Sequence, residues 1–422
     1  MSFFTVKNGA LCCEDVPLGA IAEEVGTPCY VYSSASIKSQ YQKLETALRH
    51  AMPEGRQPLL CFACKANSNL AVLKYIQSLG GGLEIVSEGE LYRGLRAGFD
   101  PQKIVSTGVG KQKSEIKACL EAGILQINVE SLPELELIQK VAAETGKTAT
   151  VVFRLNPDIS GGGHHKISTG RARDKFGMSA DRIFEGFELA GNMSHVKAVG
   201  LSMHIGSQVF EVSAFKDAFE RFAAFAVALR ENGYDISQLD IGGGFPIQYD
   251  DEELLDFDAY AAWVRDIIQP LGTKIIMEPG RYLVGNAGAL LSEVLYIKNT
   301  QDQNFLVLDA AMNDLIRPTL YDAYHAVRAV NDADKPSRIY DIVGPVCETG
   351  DTFAHDRHVP ERKQGDFVAI MSAGAYGACM ASNYNTRPFV PEVLVHGDQF
   401  DVIRERQSYD DLLDKDITPD WI

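Results

Sequence analysis

The sequence predicts a parallel (β/α)8 TIM-like barrel over residues 34–286 and a C-terminal β-sandwich or β-barrel domain over 287–422, completed by the N-terminal segment 1–33. Three observations carry that prediction. Eight short apolar runs alternate strictly with eight amphipathic stretches up to about Asn286, the pattern and length of such a barrel. Beyond Asn286 the long amphipathic stretches cease and β-branched alternation takes over. Residues of distinctive chemistry fall at the C-terminal ends of the apolar runs, where barrel enzymes build their sites. An open doubly wound sheet also accommodates eight strands, but that last placement favours the closed barrel.

Taken in order, Phe3–Leu11 and Pro28–Tyr32 read as strands that join the C-terminal β domain. The first amphipathic helix is Ser34–His50. The strand candidates are Leu59–Lys65, Gly82–Ser87, Lys103–Thr107, Leu125–Glu130, Ala149–Leu155, Val196–His204, Leu239–Gly242 and Lys274–Glu278. Between them lie helical stretches at Asn69–Leu79, Glu88–Ala97, Lys113–Ala122, Leu132–Thr145, Asp181–Ala190, Val212–Asn232 and Phe257–Ile268. In the C-terminal region, Leu291–Ile297, Asn304–Leu308, Arg338–Val343, Phe367–Met371, Val393–His396 and Phe400–Arg404 read as strands. No internal repeat, heptad or low-complexity tract interrupts the pattern.

Composition narrows the function. A net charge of −17, from 57 acidic and 40 basic residues, disfavours non-specific binding to nucleic acid or to an anionic membrane. No apolar run approaches the roughly 20 residues that span a bilayer, and the start Met1-Ser2-Phe3-Phe4-Thr5-Val6-Lys7 lacks a signal-peptide pattern. A cytoplasmic location is expected. The 8 cysteines form no disulfide framework, and Cys61-Phe62-Ala63-Cys64 lies inside an apolar run without a companion pair at zinc spacing, so neither a redox motif nor a metal is expected.

Lys65 closes the first apolar run. A buried amine there is costly unless it joins a carboxylate or forms an imine with a carbonyl. Read alone, the ion pair is the better reading; the other strand ends shift the balance. The seventh run ends in Gly242-Gly243-Gly244, whose backbone amides could close on a phosphate, although three glycines also make a plain turn. The eighth ends in Glu278-Pro279-Gly280-Arg281, and the sixth leads into His204-Ile205-Gly206-Ser207. With Glu84 and Arg154, these give a lysine, an acid for a ring nitrogen, an imidazole and a phosphate cradle, the parts that pyridoxal 5'-phosphate requires. In the C-terminal region, Cys347 beside Glu348 is either a turn residue or a proton donor. Arg317 and Tyr321, with His325, form a polar set around Pro318, and a guanidinium fork there suits a substrate carboxylate.

These segments resemble the fold-type III pyridoxal-phosphate decarboxylases nearly end to end, and within them the branch acting on diaminopimelate. The resemblance rests on Cys64-Lys65-Ala66-Asn67, His165-Lys166-Ile167-Ser168-Thr169-Gly170 with Lys175-Phe176-Gly177, His204-Ile205-Gly206-Ser207-Gln208, Glu278-Pro279-Gly280-Arg281, Cys347-Glu348-Thr349-Gly350-Asp351, Gly374-Ala375-Tyr376-Gly377, and Ser382-Asn383-Tyr384-Asn385 with Arg387-Pro388. It implies decarboxylation of meso-2,6-diaminopimelate to L-lysine and carbon dioxide, the last step of lysine biosynthesis, by a homodimer with active sites at the interface. Lys65 would hold the cofactor, Glu278 would face its ring nitrogen, and His204 would lie against its ring. Ser207, Gly242, Gly243, Gly244, Arg281 and Tyr376 would surround the phosphate. Cys347 of the partner subunit would donate the proton, and Glu348, Arg317 and Tyr321, helped by Arg281, would read the distal end of the substrate.

The chain departs from the family pattern at Glu84, where aspartate is usual, at Glu88-Gly89-Glu90-Leu91, where Gly-Gly usually precedes Glu-Leu, and at Thr349, where serine is common. The rival readings are a related decarboxylase acting on carboxynorspermidine, D-ornithine or D-lysine, an amino-acid racemase, and a non-catalytic cofactor-binding homologue. Arg317 paired with Glu348 argues for a zwitterionic distal end, and Cys347 argues against the racemase.

Overall fold

The computed structural model describes residues 3–157, 175–332 and 334–422; the His165–Gly170 segment of the resemblance lies outside them. The chain divides into two compact units. One comprises Lys38–Gln248 and Glu252–Leu283, the other Met1–Ile37, Tyr249–Asp251 and Val284–Ile422. Among the described residues no helix is long and apolar enough to cross a membrane.

In the first unit eight parallel strands close into a barrel. In chain order they are Leu59–Ala63, Gly82–Ile85, Ile104–Ser106, Gln126–Val129, Ala149–Leu155, Val196–Met203, Gln238–Asp240 and Lys274–Met277. The eighth closes on the first through the register Ile276 to Leu59 and Met277 to Leu60. Helices alternate with these strands because each intervening stretch carries an apolar stripe and its own stop signals. Glu88–Ala97 opens on the Ser87 hydroxyl, which accepts from the Glu90 amide. Leu132–Thr145 opens on Ser131 with a proline in its first turn and stops at Gly146, which is left-handed at φ 66°.

Seven of the eight strands end one or two residues before their apolar runs, and Ala149–Leu155 ends with its run. Lys65 lies on a 3-10 turn, Cys64–Ala66, two residues past the first strand. The run continues because the turn is buried at Cys64 and Ala66, not because the ladder continues.

In the second unit nine strands form one mixed sheet. Its spine is the long strand Gly288–Asn299. The first half of that strand pairs with Cys29–Ser33 on one side and Phe367–Ile370 on the other, and its second half pairs with Asn304–Leu308. Cys29–Ser33 in turn pairs in parallel with Glu392–His396. Pro28–Tyr32 therefore joins the large sheet, and Phe3–Leu11 joins the same unit by a different route. Its residues form Phe4–Lys7 and Ala10–Cys13, two strands of a separate three-stranded sheet with Val16–Pro17. Packing joins this small sheet to the large one: Phe4, Leu11, Cys13 and Val16 share an apolar core with Val31, Leu291 and Val393.

Candidate active site

The two loops expected to hold an anion are anchored from behind by one aromatic cluster. Phe245 follows Gly244, and Tyr282 follows Arg281. Their rings lie 6.2 Å apart, and Phe245 also meets Tyr260 at 5.0 Å and Phe215 at 5.9 Å. Each such pair contributes about 0.5–1.5 kcal/mol beyond area burial, so the glycine loop and the Glu278–Arg281 bend share a rigid wall.

The glycines have no room for side chains. A Cβ at Gly243 would lie 2.1 Å from the Glu278 carbonyl oxygen, and one at Gly244, whose φ is +98°, would lie 2.5 Å from that of Gly206. The loop is held further by Gly242 N donating to Asp240 Oδ1 at 3.0 Å and Gly243 N donating to His204 Nδ1 at 3.2 Å. Arg281, itself buried, donates to Ser207 Oγ through Nε at 3.4 Å and Nη2 at 3.2 Å. A guanidinium and a hydroxyl thus meet beside a loop that has no side chains, and both are donors of the kind a phosphate takes. Pro279 and Gly280 shape this bend: the Pro279 carbonyl accepts from Ala63 N at 3.0 Å and that of Gly280 from Leu283 N at 3.0 Å.

Lys65 does make the ion pair that its position first suggests. Its Nζ is 2.9 Å from both carboxylate oxygens of Glu84, which is wholly buried while the lysine side chain stays 40% exposed. The pair keeps the amine aimed into a cleft lined by Lys65, Thr107, Asn128, Arg154, Ser202, Met203, His204 and Glu278. The exposed part of the side chain leaves the amine within reach of a carbonyl, which it can attack once the ammonium gives up a proton.

Three buried carboxyls, Glu84, Asp240 and Glu278, face one another inside the barrel. Asn128 Nδ2 donates to Asp240 Oδ2 at 3.2 Å and to Glu278 Oε1 at 3.4 Å, and Thr107 Oγ1 donates to Glu278 Oε1 at 3.1 Å. Burial, and then the neighbouring carboxylates Asp240 and Glu84, push the Glu278 carboxyl well above its ordinary range, with Lys65 opposing. Burial likewise pushes Asp240 up to about 6, against its hydrogen bonds from Gly242, Glu278 and Asn128. Both carboxyls therefore hold a proton more readily than exposed ones do. Such a cluster favours a cation within reach, and a protonated pyridine ring is one. Burial, with Arg154 and Lys65 adding positive charge nearby, drives the His204 imidazole well below its usual range. It is a neutral ring whose Nδ1 accepts from the Gly243 amide. Arg154 is fixed by Glu130, Nη1 to Oε1 at 2.7 Å, and by the Phe176 ring at 4.9 Å. The groups present therefore fit pyridoxal phosphate at both ends: an anion cradle at one, and an acid cluster with an amine at the other.

The remaining candidates belong to the second unit. Cys347 and Glu348 are exposed on the loop following Ser337–Val343. Asn385 Nδ2 lies 3.7 Å from Cys347 Sγ, and Tyr384 Oη donates to Glu348 Oε2 at 3.0 Å. Arg317 is buried at the start of the helix Arg317–Tyr321, with Nη1 2.9 Å from His325 Nε2 and its guanidinium 4.6 Å from the Tyr249 ring centroid. Tyr321 closes that helix half-buried, and Tyr376 sits half-buried at φ 56°. Sequence reasoning missed Asp240, Asn128 and Thr107. Asp240 had a usable signal, an acid inside an apolar run immediately before the glycines.

Residues 34–285 match the family model for the pyridoxal binding domain of pyridoxal-dependent decarboxylases. Diaminopimelate decarboxylase from Zymomonas mobilis is 44% identical over 99% of both chains. The enzyme of that name from Neisseria meningitidis serogroup B is 46% identical over 94% of this chain and 95% of its own. Among solved structures, M. jannaschii diaminopimelate decarboxylase in complex with L-lysine superposes with a TM-score of 0.93 at 36% identity, covering 98% of each chain. With a matching family model over most of its length and full-length relatives well above 40% identity, the chain belongs to the diaminopimelate decarboxylase family of pyridoxal-dependent decarboxylases.

Proposed function

We propose that this protein decarboxylates meso-2,6-diaminopimelate to L-lysine and carbon dioxide with pyridoxal 5'-phosphate. The observation that carries the reading is the Lys65 amine, aimed by a buried Glu84 into the cleft of a barrel whose next-door loops form an anion cradle. Near full-length similarity to named diaminopimelate decarboxylases supplies the substrate.

In this reading the Lys65 amine would hold the cofactor and would give way to the substrate amine. When bound, pyridoxal phosphate supplies the electron sink that lets the carboxylate leave as carbon dioxide. Glu278 would hold the ring-nitrogen end, and the neutral His204 ring would lie against the flat face. Ser207, Gly242, Gly243, Gly244 and Arg281, with Tyr376, hold the phosphate. Arg317, Tyr321 and Glu348 orient the distal zwitterion, so that remote binding energy aligns the scissile bond. The partner subunit's Cys347 gives the proton that replaces the lost carboxylate. All described cysteines are free, which suits a reducing cytosol.

The deciding assay is carbon dioxide release from cofactor-loaded protein offered meso-diaminopimelate beside D- and L-lysine, D- and L-ornithine, arginine and carboxynorspermidine. Preference for meso-diaminopimelate with stoichiometric L-lysine supports the reading, and release from another substrate alone overturns the assignment of Arg317 and Glu348. The homodimer has its own test. Lys65→Ala and Cys347→Ala chains, each inactive alone, should regain part of the activity when mixed, because one hybrid site carries both native residues.

A further inference from the structure

Cys347 and Glu348 sit on an exposed loop, where a thiol and a carboxylate would ordinarily sample several rotamers. A proton donor and a substrate reader cannot tolerate that freedom, since small displacements at a reacting centre cost rate steeply. The structure nevertheless gives each of them a partner from one short turn. Asn385 Nδ2 is 3.7 Å from Cys347 Sγ, and Tyr384 Oη donates to Glu348 Oε2 at 3.0 Å.

That turn is strained. Asn385 and Thr386 both have φ 55°, the left-handed region that is unusual for a non-glycine residue and more so for a β-branched one. Strain of this kind persists only where surrounding contacts over-determine it, and it concentrates at functional positions. Here the contacts are visible. Arg387, the residue after the strained pair, donates to the Asp309 carbonyl at 2.6 Å and to Asn313 Oδ1 at 2.9 Å. Asn313 Nδ2 donates back to the Ser382 carbonyl at 3.2 Å, at the other end of the turn. The cysteine loop is footed on the same short segment. Buried Asp351 accepts from Met312 N at 2.6 Å and from Val346 N at 2.7 Å. Both loops are thus fixed to residues 312–313, and their tips meet at the two side-chain contacts.

We propose that Asn385 and Tyr384 are positioning residues that clamp Cys347 and Glu348 for proton transfer and for recognition of the substrate's distal end. The directions of the contacts matter. An amide N–H donating to sulfur leaves the S–H proton uncommitted and available for transfer. A phenol donating to one carboxylate oxygen leaves the other for a substrate ammonium, and Gly350 keeps that side open, since a Cβ there would lie 3.3 Å from Glu348 Oε1. The proposal rests on the reading of Cys347 as the acid and Glu348 as a substrate contact.

The test compares Asn385→Ala, Asn385→Asp and Tyr384→Phe with Cys347→Ala in cofactor-loaded enzyme. It also uses peptide-resolved iodoacetamide alkylation, with exposed Cys379 as the internal reference. Asn385→Ala should lower kcat about tenfold or more with little change in KM. It should also alter the alkylation rate of Cys347 relative to Cys379. Tyr384→Phe should chiefly raise KM for meso-diaminopimelate. If Asn385→Ala leaves both kcat and Cys347 alkylation at wild-type values while Cys347→Ala is inactive, the clamp is wrong and the acid stands. If Cys347→Ala keeps its rate, the acid assignment fails and the clamp falls with it. Asn385→Asp, close in shape, shows whether any loss reflects the lost donor or a collapsed turn.

Discussion

In the barrel unit the reactive amine faces a carboxylate that is wholly buried, beside two further buried carboxyls and a half-buried imidazole. In the β unit the thiol and the carboxylate of Cys347 and Glu348 are exposed, held by two side-chain contacts whose supports lie underneath. The first arrangement stores its order in desolvated charge, which is costly to disturb. The second stores it in the feet of loops and leaves the tips open. Substitutions in the cleft should therefore strike chemistry and stability together, while substitutions at the loop tips should strike chemistry alone.

The largest expected effect is that of Lys65→Ala. Turnover should fall by about a thousandfold or more, since the covalent anchor is lost. The denaturant midpoint of the cofactor-free protein should fall too, because Glu84 keeps its burial and loses its cation. An unchanged midpoint would break the comparison at its strongest point. Gly243→Ala comes next. Its Cβ would meet the Glu278 carbonyl at 2.1 Å, so the loop must shift. Urea titration should show a loss of roughly 1–3 kcal/mol, accompanied by weaker pyridoxal-phosphate binding.

Glu348→Gln sharpens the contrast from the other side. KM for meso-diaminopimelate should rise about tenfold, as for a lost charged hydrogen bond, with stability within about 0.5 kcal/mol of wild type. The smallest effect concerns pH. Folded Asp240, at about 6 against an ordinary 3.8, binds its proton more tightly than the unfolded chain does. Between those values the folded state carries the extra proton. The stability of the cofactor-free protein should thus decline as pH rises from about 4 to about 6. Asp240→Asn should flatten that slope in denaturation curves taken across the window.

Much of the barrel was legible because period and punctuation agree: Glu88–Ala97 and Leu132–Thr145 fall where their capping serines and glycines place them. The strand Thr352–Pro360 went unseen because Thr-Phe-Ala-His-Asp-Arg-His-Val-Pro alternates too little, with His355, Asp356 and His358 exposed and only Phe353, Ala354 and Val359 buried. Phe3–Leu11 lies in the expected unit, but its sheet was not legible, because local alternation announces a strand without naming its partner. Lys65 stood out in the sequence as a charge in an apolar run. Asp240 has the same signature, but its role depends on Asn128 and Glu278, whose contacts with it only the closed barrel shows.

The central place of Cys29–Ser33 in the large sheet bears on how the chain is made. This strand needs Gly288–Asn299 on one edge and Glu392–His396 on the other. A ribosome delivers it before either neighbour, and all eight barrel strands emerge in the interval. The barrel can close during synthesis, whereas the sheet waits for Glu392–His396, holding an apolar edge open meanwhile. A nascent chain stalled short of residue 392 would be a finished barrel carrying a half-built sheet, and that is the species a chaperone would meet.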